Sequence, residues 1–362
     1  MKHLSAPKEL FIGVTDRCNL ACRHCNVAST KGLKSELSFN EWSAILDEAE
    51  RMKVFYVTVS GGEPFVRGDI FEIFKKIEST PMRFSVNTNA SCIDDRKAEA
   101  LASFKRLSGV LVGLDGSRAQ AHDALRGDGA FFSALRGLKA LVGALGGART
   151  TIFCVVNKFN LGDLEGLVRL ADDLGIAAVQ FEPILWEGSA KENERAIGLS
   201  FGERQGAFRE VARLHGIYGT IVRGNFLSMG RHFAELDTID FDRFRSQEKG
   251  GCLSSCAAID KLVIRPDGWV VPCDRLWEFT IEHVHRRSLR DIWNNAPRLE
   301  EFRNRYSLHV DDIPECAGCQ YRFTCRAGCP AGAFNEGGSI VGRDPASCYR
   351  IHKGEEAYDR SV

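Results

Sequence analysis

The 362-residue chain carries no net charge, because 48 Lys and Arg balance 48 Asp and Glu. A surface without a dominant sign gives no electrostatic reason to bind nucleic acid or an anionic membrane. Long apolar runs are lacking as well. No stretch approaches the roughly 20 residues of a membrane-spanning helix. The N-terminal M-K-H-L-S-A-P-K-E-L has no apolar core of signal-peptide length. Internal repeats and low-complexity tracts are also missing. These absences leave a cytoplasmic protein with no nucleic-acid or membrane partner expected, and 44% hydrophobic residues is ample for a sizeable core. Cysteine, by contrast, is plentiful at 13 residues. A reducing compartment disfavours structural disulfides, so clustered cysteines there point to metal ligands or catalysts. Three fall within residues 18–25, Cys92 and Cys154 stand alone, and eight lie between residues 252 and 348.

Apolar periodicity supplies the frame. Alternating or continuous apolar runs predict strands at residues 9–15, 54–60, 82–88, 110–115, 150–156 and 177–183. Helical spacing predicts helices between them, the first opened by a Ser38–Glu41 capping box, the others near residues 69–77, 95–105, 131–145 and 164–174. Six strand–helix alternations imply a parallel sheet. The unusual residues follow strand ends: the cysteine loop, G-G-E-P, N-T-N and L-D-G. In parallel barrels chemistry sits on that rim. The expected fold is α/β, an open, partial (β/α)6 barrel over residues 1–185. A bridging region over 186–249 begins with a polar linker at 186–195 and holds a helix at 201–215. A small cysteine-rich domain over 250–362 completes the chain.

Cys18, Cys22 and Cys25 are spaced C-x3-C-x2-C just after the first predicted strand. Zinc and most iron–sulfur clusters take four protein ligands, so three thiolates leave one metal position open to a small molecule. A partial zinc site is the competing reading. The motif resembles that of the radical S-adenosylmethionine (SAM) enzymes, whose residue before the last cysteine is aromatic; here it is His24. The resemblance implies a 4Fe–4S cluster whose open iron chelates SAM, cleaved reductively to a 5′-deoxyadenosyl radical that abstracts a substrate hydrogen. It also implies SAM contacts from Gly61, Gly62, Glu63 and Pro64 of G-G-E-P, with the Glu63 carboxylate suited to the SAM ammonium. Asp115 of L-D-G-S matches a further family motif, and Arg126 of H-D-A-L-R-G would pair with the SAM carboxylate or else be a surface arginine. Asn157 is a candidate for the ribose and Gln180 for the adenine. Gly113 stands where related enzymes often have Ser.

The last eight cysteines, Cys252, Cys256, Cys273, Cys316, Cys319, Cys325, Cys329 and Cys348, suffice for two closed four-ligand sites. A zinc ribbon is the plain alternative. The pattern resembles the SPASM extension of sulfatase-maturing and peptide-modifying enzymes. That resemblance implies two auxiliary 4Fe–4S clusters with crossed ligation, one on Cys252, Cys256, Cys273 and Cys329, the other on Cys316, Cys319, Cys325 and Cys348. It makes Asp274 a candidate catalytic base, against the alternative of a turn residue. Cys92 and Cys154 read as ordinary small residues, and His283 and His285 as an exposed strand or loop.

The expected activity is a radical SAM oxidoreductase with three 4Fe–4S clusters that oxidises or cross-links a side chain of a ribosomal precursor peptide. The alternative is dehydrogenation or epimerisation of a small molecule such as a sugar or aminocyclitol, and a remoter one is a non-catalytic zinc-binding interaction protein. The implied partners are a flavodoxin- or ferredoxin-type electron donor and a separate peptide-recognition protein. The first strand starts near residue 9, so no fused N-terminal recognition domain is expected.

Overall fold

The structure, a computed structural model, describes residues 4–27, 35–240, 242, 250–254 and 257–354. All six predicted strands form, as β1 (Glu9–Gly13), β2 (Tyr56–Ser60), β3 (Arg83–Thr88), β4 (Leu107–Gly113), β5 (Thr150–Val155) and β6 (Ala178–Glu182). Each is parallel to the next. The connecting helices are α1 (Phe39–Met52), α2 (Ile70–Glu78), α3 (Asp95–Ala102), α4 (Ala119–Arg126), α5 (Ala130–Leu145) and α6 (Leu164–Asp173).

Local sequence explains the elements. In α1, Trp42, Ile45, Leu46, Ala49 and Met52 recur at helical spacing and are buried against the sheet. The Ser38–Glu41 capping box opens this helix, and Lys53, in a left-handed conformation at φ 65°, closes it by donating to the Ala49 and Glu50 carbonyls. Helix α4 was not predicted. It is short and polar, starts without a side-chain cap, and buries only Ala121, His122, Leu125 and Arg126, too few for a periodic signal.

The polar stretch expected as a linker is instead two short helices, Gly188–Glu192 and Glu194–Ile197, anchored by buried Ala190 and Ile197. Gly188, at φ 52°, brings the first of them onto the cysteine loop, where Ser189 N–H donates to the Cys25 carbonyl at 2.9 Å. The helix predicted at 201–215 extends over Phe201–Tyr218, and a second, Asn225–Thr238, packs against it. Phe208 and Phe226 meet at 4.5 Å between ring centroids, and Phe233 stacks on His352 at 4.0 Å, which docks the C-terminal helix Tyr349–Lys353 on this pair.

The cysteine-rich region does not stand apart. Its strands β8 (Lys261–Ile264), β9 (Trp269–Val271) and β10 (Glu282–His283) join the barrel's sheet, with β8 parallel to β1. With β7 (Val222–Arg223) beyond β6, the result is one ten-stranded, unclosed sheet in the order β10-β9-β8-β1-β2-β3-β4-β5-β6-β7. Among the described residues no helix is long and apolar enough to cross a membrane.

Candidate active site

The C-terminal ends of the barrel strands surround a cavity of about 390 Å³. Cys18, Cys22 and Cys25 border it from the loop after β1, Gly61 and Gly62 from the end of β2, and Gly113 and Arg126 from β4 and α4. Glu182 at the end of β6, Asn225, and Asp274, Arg275 and Trp277 from the segment after β9 border it as well. Among the described residues no disulfide joins the cysteines.

Further contacts, beside that of Ser189 on Cys25, fix the cysteine loop. Gly62 N–H donates to Thr15 O at 2.7 Å and Glu63 N–H to Arg17 O at 2.9 Å; Arg23 N–H reaches Leu125 O at 2.9 Å; and Asn26 Nδ2 reaches Asp274 O at 3.3 Å. The approach at Gly62 is tight, because a Cβ there would lie 2.3 Å from the Arg17 carbonyl oxygen, which is backbone and cannot turn away. Gly62→Ala is therefore expected to cost about 1–3 kcal/mol of stability and to weaken SAM binding by displacing the loop, measurable by thermal melting and by calorimetric titration.

Glu63 is turned inward. Its fully buried carboxylate accepts from Thr88 Oγ1 at 2.8 Å, Asn89 N–H at 2.7 Å and Phe65 N–H at 3.1 Å. Burial raises its pKa, while the Asn89, Phe65 and Thr88 donors oppose that rise. The side chain ties the end of β2 to N-T-N, and Asn89 continues to Asn19 Oδ1 at 3.0 Å. Pro64 is buried at the start of a 3-10 turn and does not border the cavity. The glycines of G-G-E-P face the cavity; its carboxylate supports them.

Arg126 is buried and reaches the cavity through Gly113. Its Nε donates to Asp115 Oδ2 at 2.5 Å, and a Cβ on Gly113 would lie 2.6 Å from Nη2. Glycine at 113 thus leaves the space that the guanidinium occupies, and a serine there would require the end of this arginine to move. Asp115 is fully buried away from the cavity and also accepts from Val155 N–H at 2.7 Å. Burial works to raise its pKa, but Arg126, then His24 and His122, outweigh it and lower the pKa.

His24 borders the cavity with a buried Nδ1 that has no hydrogen-bond partner, and burial lowers its pKa to about 4, so the ring is neutral. Burial pushes the Cys22 thiol up to about 12, opposed by Arg126, so a metal held there must displace its proton. Asn157 is not brought to the cavity. Its side chain is spent on its own turn, donating to Val155 O at 2.8 Å and accepting from Phe159 N–H at 2.9 Å. Gln180 lies two residues before Glu182 on the same face of β6, short of the cavity lining.

Asp274 borders the cavity in an ion pair with Lys261 Nζ at 2.8 Å. Burial raises its pKa, but Lys261 outweighs that and holds the carboxyl below its usual range. Beyond it, Cys273 and Cys329 both flank Arg275. Cys252 lies in a short bridge with His309, and Cys256 falls outside the described residues. Cys316, Cys319, Cys325 and Cys348 border one small cavity with Arg322, Arg343 and Arg350. The thiols edge spaces rather than points, since among the described residues no three His, Cys, Asp or Glu side chains converge as a single metal ion would need. Three thiols, a neutral imidazole with a free nitrogen and a guanidinium around one cavity fit a cluster with bound SAM, and four thiols around another fit a closed cluster.

Cys154 is a fully buried strand residue, as expected, and His283 and His285 are tied to Asp267 O at 2.8 Å and Glu41 Oε1 at 2.6 Å. Sequence reasoning missed Glu182, Asn225, Arg275 and Trp277. The strand-end rule that selected L-D-G also applies to Glu182; the other three depend on long-range packing.

Comparison with known proteins agrees with this geometry. Residues 12–171 match the model of the radical SAM superfamily, and residues 252–320 match that of the SPASM iron–sulfur cluster-binding domain. The chain is 31% identical over 349 residues to the mycofactocin maturase MftC of Mycobacterium ulcerans, covering 94% of this chain and 88% of the relative. It is 28% identical to the AdoMet-dependent heme synthase of Methanosarcina barkeri, covering 96% and 98%, and 25% identical to the PqqA peptide cyclase of Ruegeria pomeroyi, covering 94% and 87%. Streptococcus suis SuiB bound to S-adenosylmethionine superposes with a TM-score of 0.73 at 20% identity, covering 96% of this chain and 78% of SuiB. The chain belongs to the radical SAM superfamily, in its SPASM-containing branch. It is an enzyme that uses SAM and iron–sulfur clusters.

Proposed function

We propose that this enzyme is a three-cluster peptide maturase that oxidises or cross-links a side chain of a ribosomally made peptide. The observation that carries this reading is that one cavity is bordered both by Cys18, Cys22 and Cys25 and by Asp274 and Arg275, next to Cys273. The names of the mycofactocin maturase and of the PqqA peptide cyclase support a peptide substrate. The heme synthase relative favours the second reading, a small-molecule substrate.

Cys18, Cys22 and Cys25 hold the SAM-binding cluster, Cys252, Cys256, Cys273 and Cys329 the first auxiliary cluster, and Cys316, Cys319, Cys325 and Cys348 the second. Thiols edging a shared space suit clusters, whose ligands sit on separate irons. When bound, SAM and its cluster supply an organic radical that takes a hydrogen atom from the substrate. The protein's own residues do the rest. Arg126, steadied by Asp115, presents its guanidinium to the SAM carboxylate. The Gly61–Gly62 backbone would meet the SAM amino group, and the neutral His24 ring would lie on the adenine side of the bound cofactor. Asp274, kept ionised by Lys261, accepts the substrate proton as oxidation proceeds; the pairing that keeps it charged also makes it a modest base. A small flavodoxin- or ferredoxin-type donor supplies electrons, and a separate recognition protein delivers the peptide.

The test is anaerobic incubation with SAM, a reductant and either a candidate precursor peptide or porphyrin and sugar substrates, followed by mass spectrometry. A mass loss or cross-link confined to the peptide supports the reading; turnover of only a small molecule overturns the peptide assignment. Asp274→Asn is expected to slow product formation by about 10²-fold while 5′-deoxyadenosine release continues, measured by chromatography of both products.

A further inference from the structure

Arg275 stands where the two metal-binding regions meet, without a task in the account above. Its side chain borders the mouth cavity beside Asp274 and Trp277. It also borders a smaller cavity, formed with Glu187, Asn335 and Asp344. Its Nη1 lies 3.7 Å from Cys329 Sγ, and its backbone N–H donates to Cys273 Sγ at 3.4 Å. Nε is buried and has no hydrogen-bond partner.

Asp344 and Glu187 act on this cation from a distance, but among the described residues no carboxylate forms an ion pair with it. Asp274 is engaged by Lys261 at 2.8 Å. Asp344 accepts from the Cys329 and Ala346 N–H groups and the Ser347 hydroxyl. Burial pushes Glu187 up to about 8, so it is mostly protonated at neutral pH. A fixed positive charge is thus left facing two thiols on one side and the substrate space on the other.

We propose that Arg275 sets the reduction potential of the iron–sulfur centre held by Cys273 and Cys329, raising it so that the centre accepts an electron from the mouth cavity. This rests on the three-cluster reading. The physics is one of charge. Adding an electron makes the centre more negative, and a neighbouring cation in a poorly solvated site stabilises that state more than the oxidised one. In the transfer so favoured, the centre gains one electron. The substrate radical loses that electron, and its proton passes to a base in the cavity.

The test is a potentiometric titration followed by electron paramagnetic resonance, on the full chain reconstituted anaerobically, comparing wild type with Arg275→Gln, Arg275→Met and Arg275→Lys. The neutral variants are expected to lower the potential of one auxiliary centre by at least tenfold in its one-electron equilibrium, about 59 mV. Arg275→Lys should retain most of the wild-type value, and the centre on Cys18, Cys22 and Cys25 should not move. A neutral variant with full iron and an unchanged potential overturns the proposal, as does a shift common to all centres. Loss of the auxiliary iron from both neutral variants makes Arg275 a structural support and also overturns it. A wild-type protein holding only one centre would overturn the three-cluster reading and this inference together.

Discussion

Cys22→Ala will bring 5′-deoxyadenosine release down to the level of a metal-free control. The thiol is one of only three on the loop, and the loop is anchored on both sides of it, by Glu63 N–H on Arg17 O at 2.9 Å before it and by Ser189 N–H on Cys25 O at 2.9 Å after it. Among the described residues no cysteine beyond these three borders the cavity to take over. On the proposed three-cluster reading, the variant loses roughly a third of its iron, and the SPASM centres keep theirs. Iron analysis beside chromatography of SAM products measures both effects. Retained iron with retained cleavage would remove the assignment of this loop.

Arg126→Met will destabilise the fold by about 3–5 kcal/mol, because it strands Asp115 as a buried charge without its cation. The pair is formed at 2.5 Å between side chains 8% and 0% exposed, so solvent screens it little. The sign with pH follows from the lowered pKa of Asp115. In the wild type the stabilisation is fully present above the ordinary carboxyl pKa and is lost as pH falls through the lower folded value. In the variant, burial without Arg126 raises the carboxyl pKa, so the loss deepens as pH rises. Adding Asp115→Asn removes the stranded charge and should recover much of the stability. SAM affinity should remain low in both variants, because the guanidinium that faces the cavity is gone in each. Denaturant unfolding at two pH values and calorimetric SAM titration separate the two roles.

The barrel was legible because its strands are long enough to show alternation or a continuous apolar run, as at residues 54–60, and its helices carry caps such as Ser38–Glu41. Strands β7 to β10 were not, since two to four residues show no period, and β8 joins β1 from about 250 residues away, as Glu9 with Lys261. The site was legible where a motif sits on a strand end: His24, the two glycines and Arg126 all reach the cavity. It was not legible where backbone groups outside the motif set a side chain's direction. Glu63 is captured by the Asn89 N–H group, 26 residues on, and Asn157 by its own turn. The tie between Gly113 and Arg126 was also invisible, because a missing Cβ speaks only once its neighbour is known.

The alignment of β8 beside β1 gives the molecule an assembly order. Strand β1 is made first but its outer backbone groups, from Glu9 to Ile12, find partners only when residues 261–264 arrive. Until then a nascent chain presents a bare strand flank, with Leu10 and Ile12 beside it, that any other extended chain could cap. Timely delivery of iron to the late cysteines, which helps that half of the molecule fold, therefore also guards the early half against aggregation.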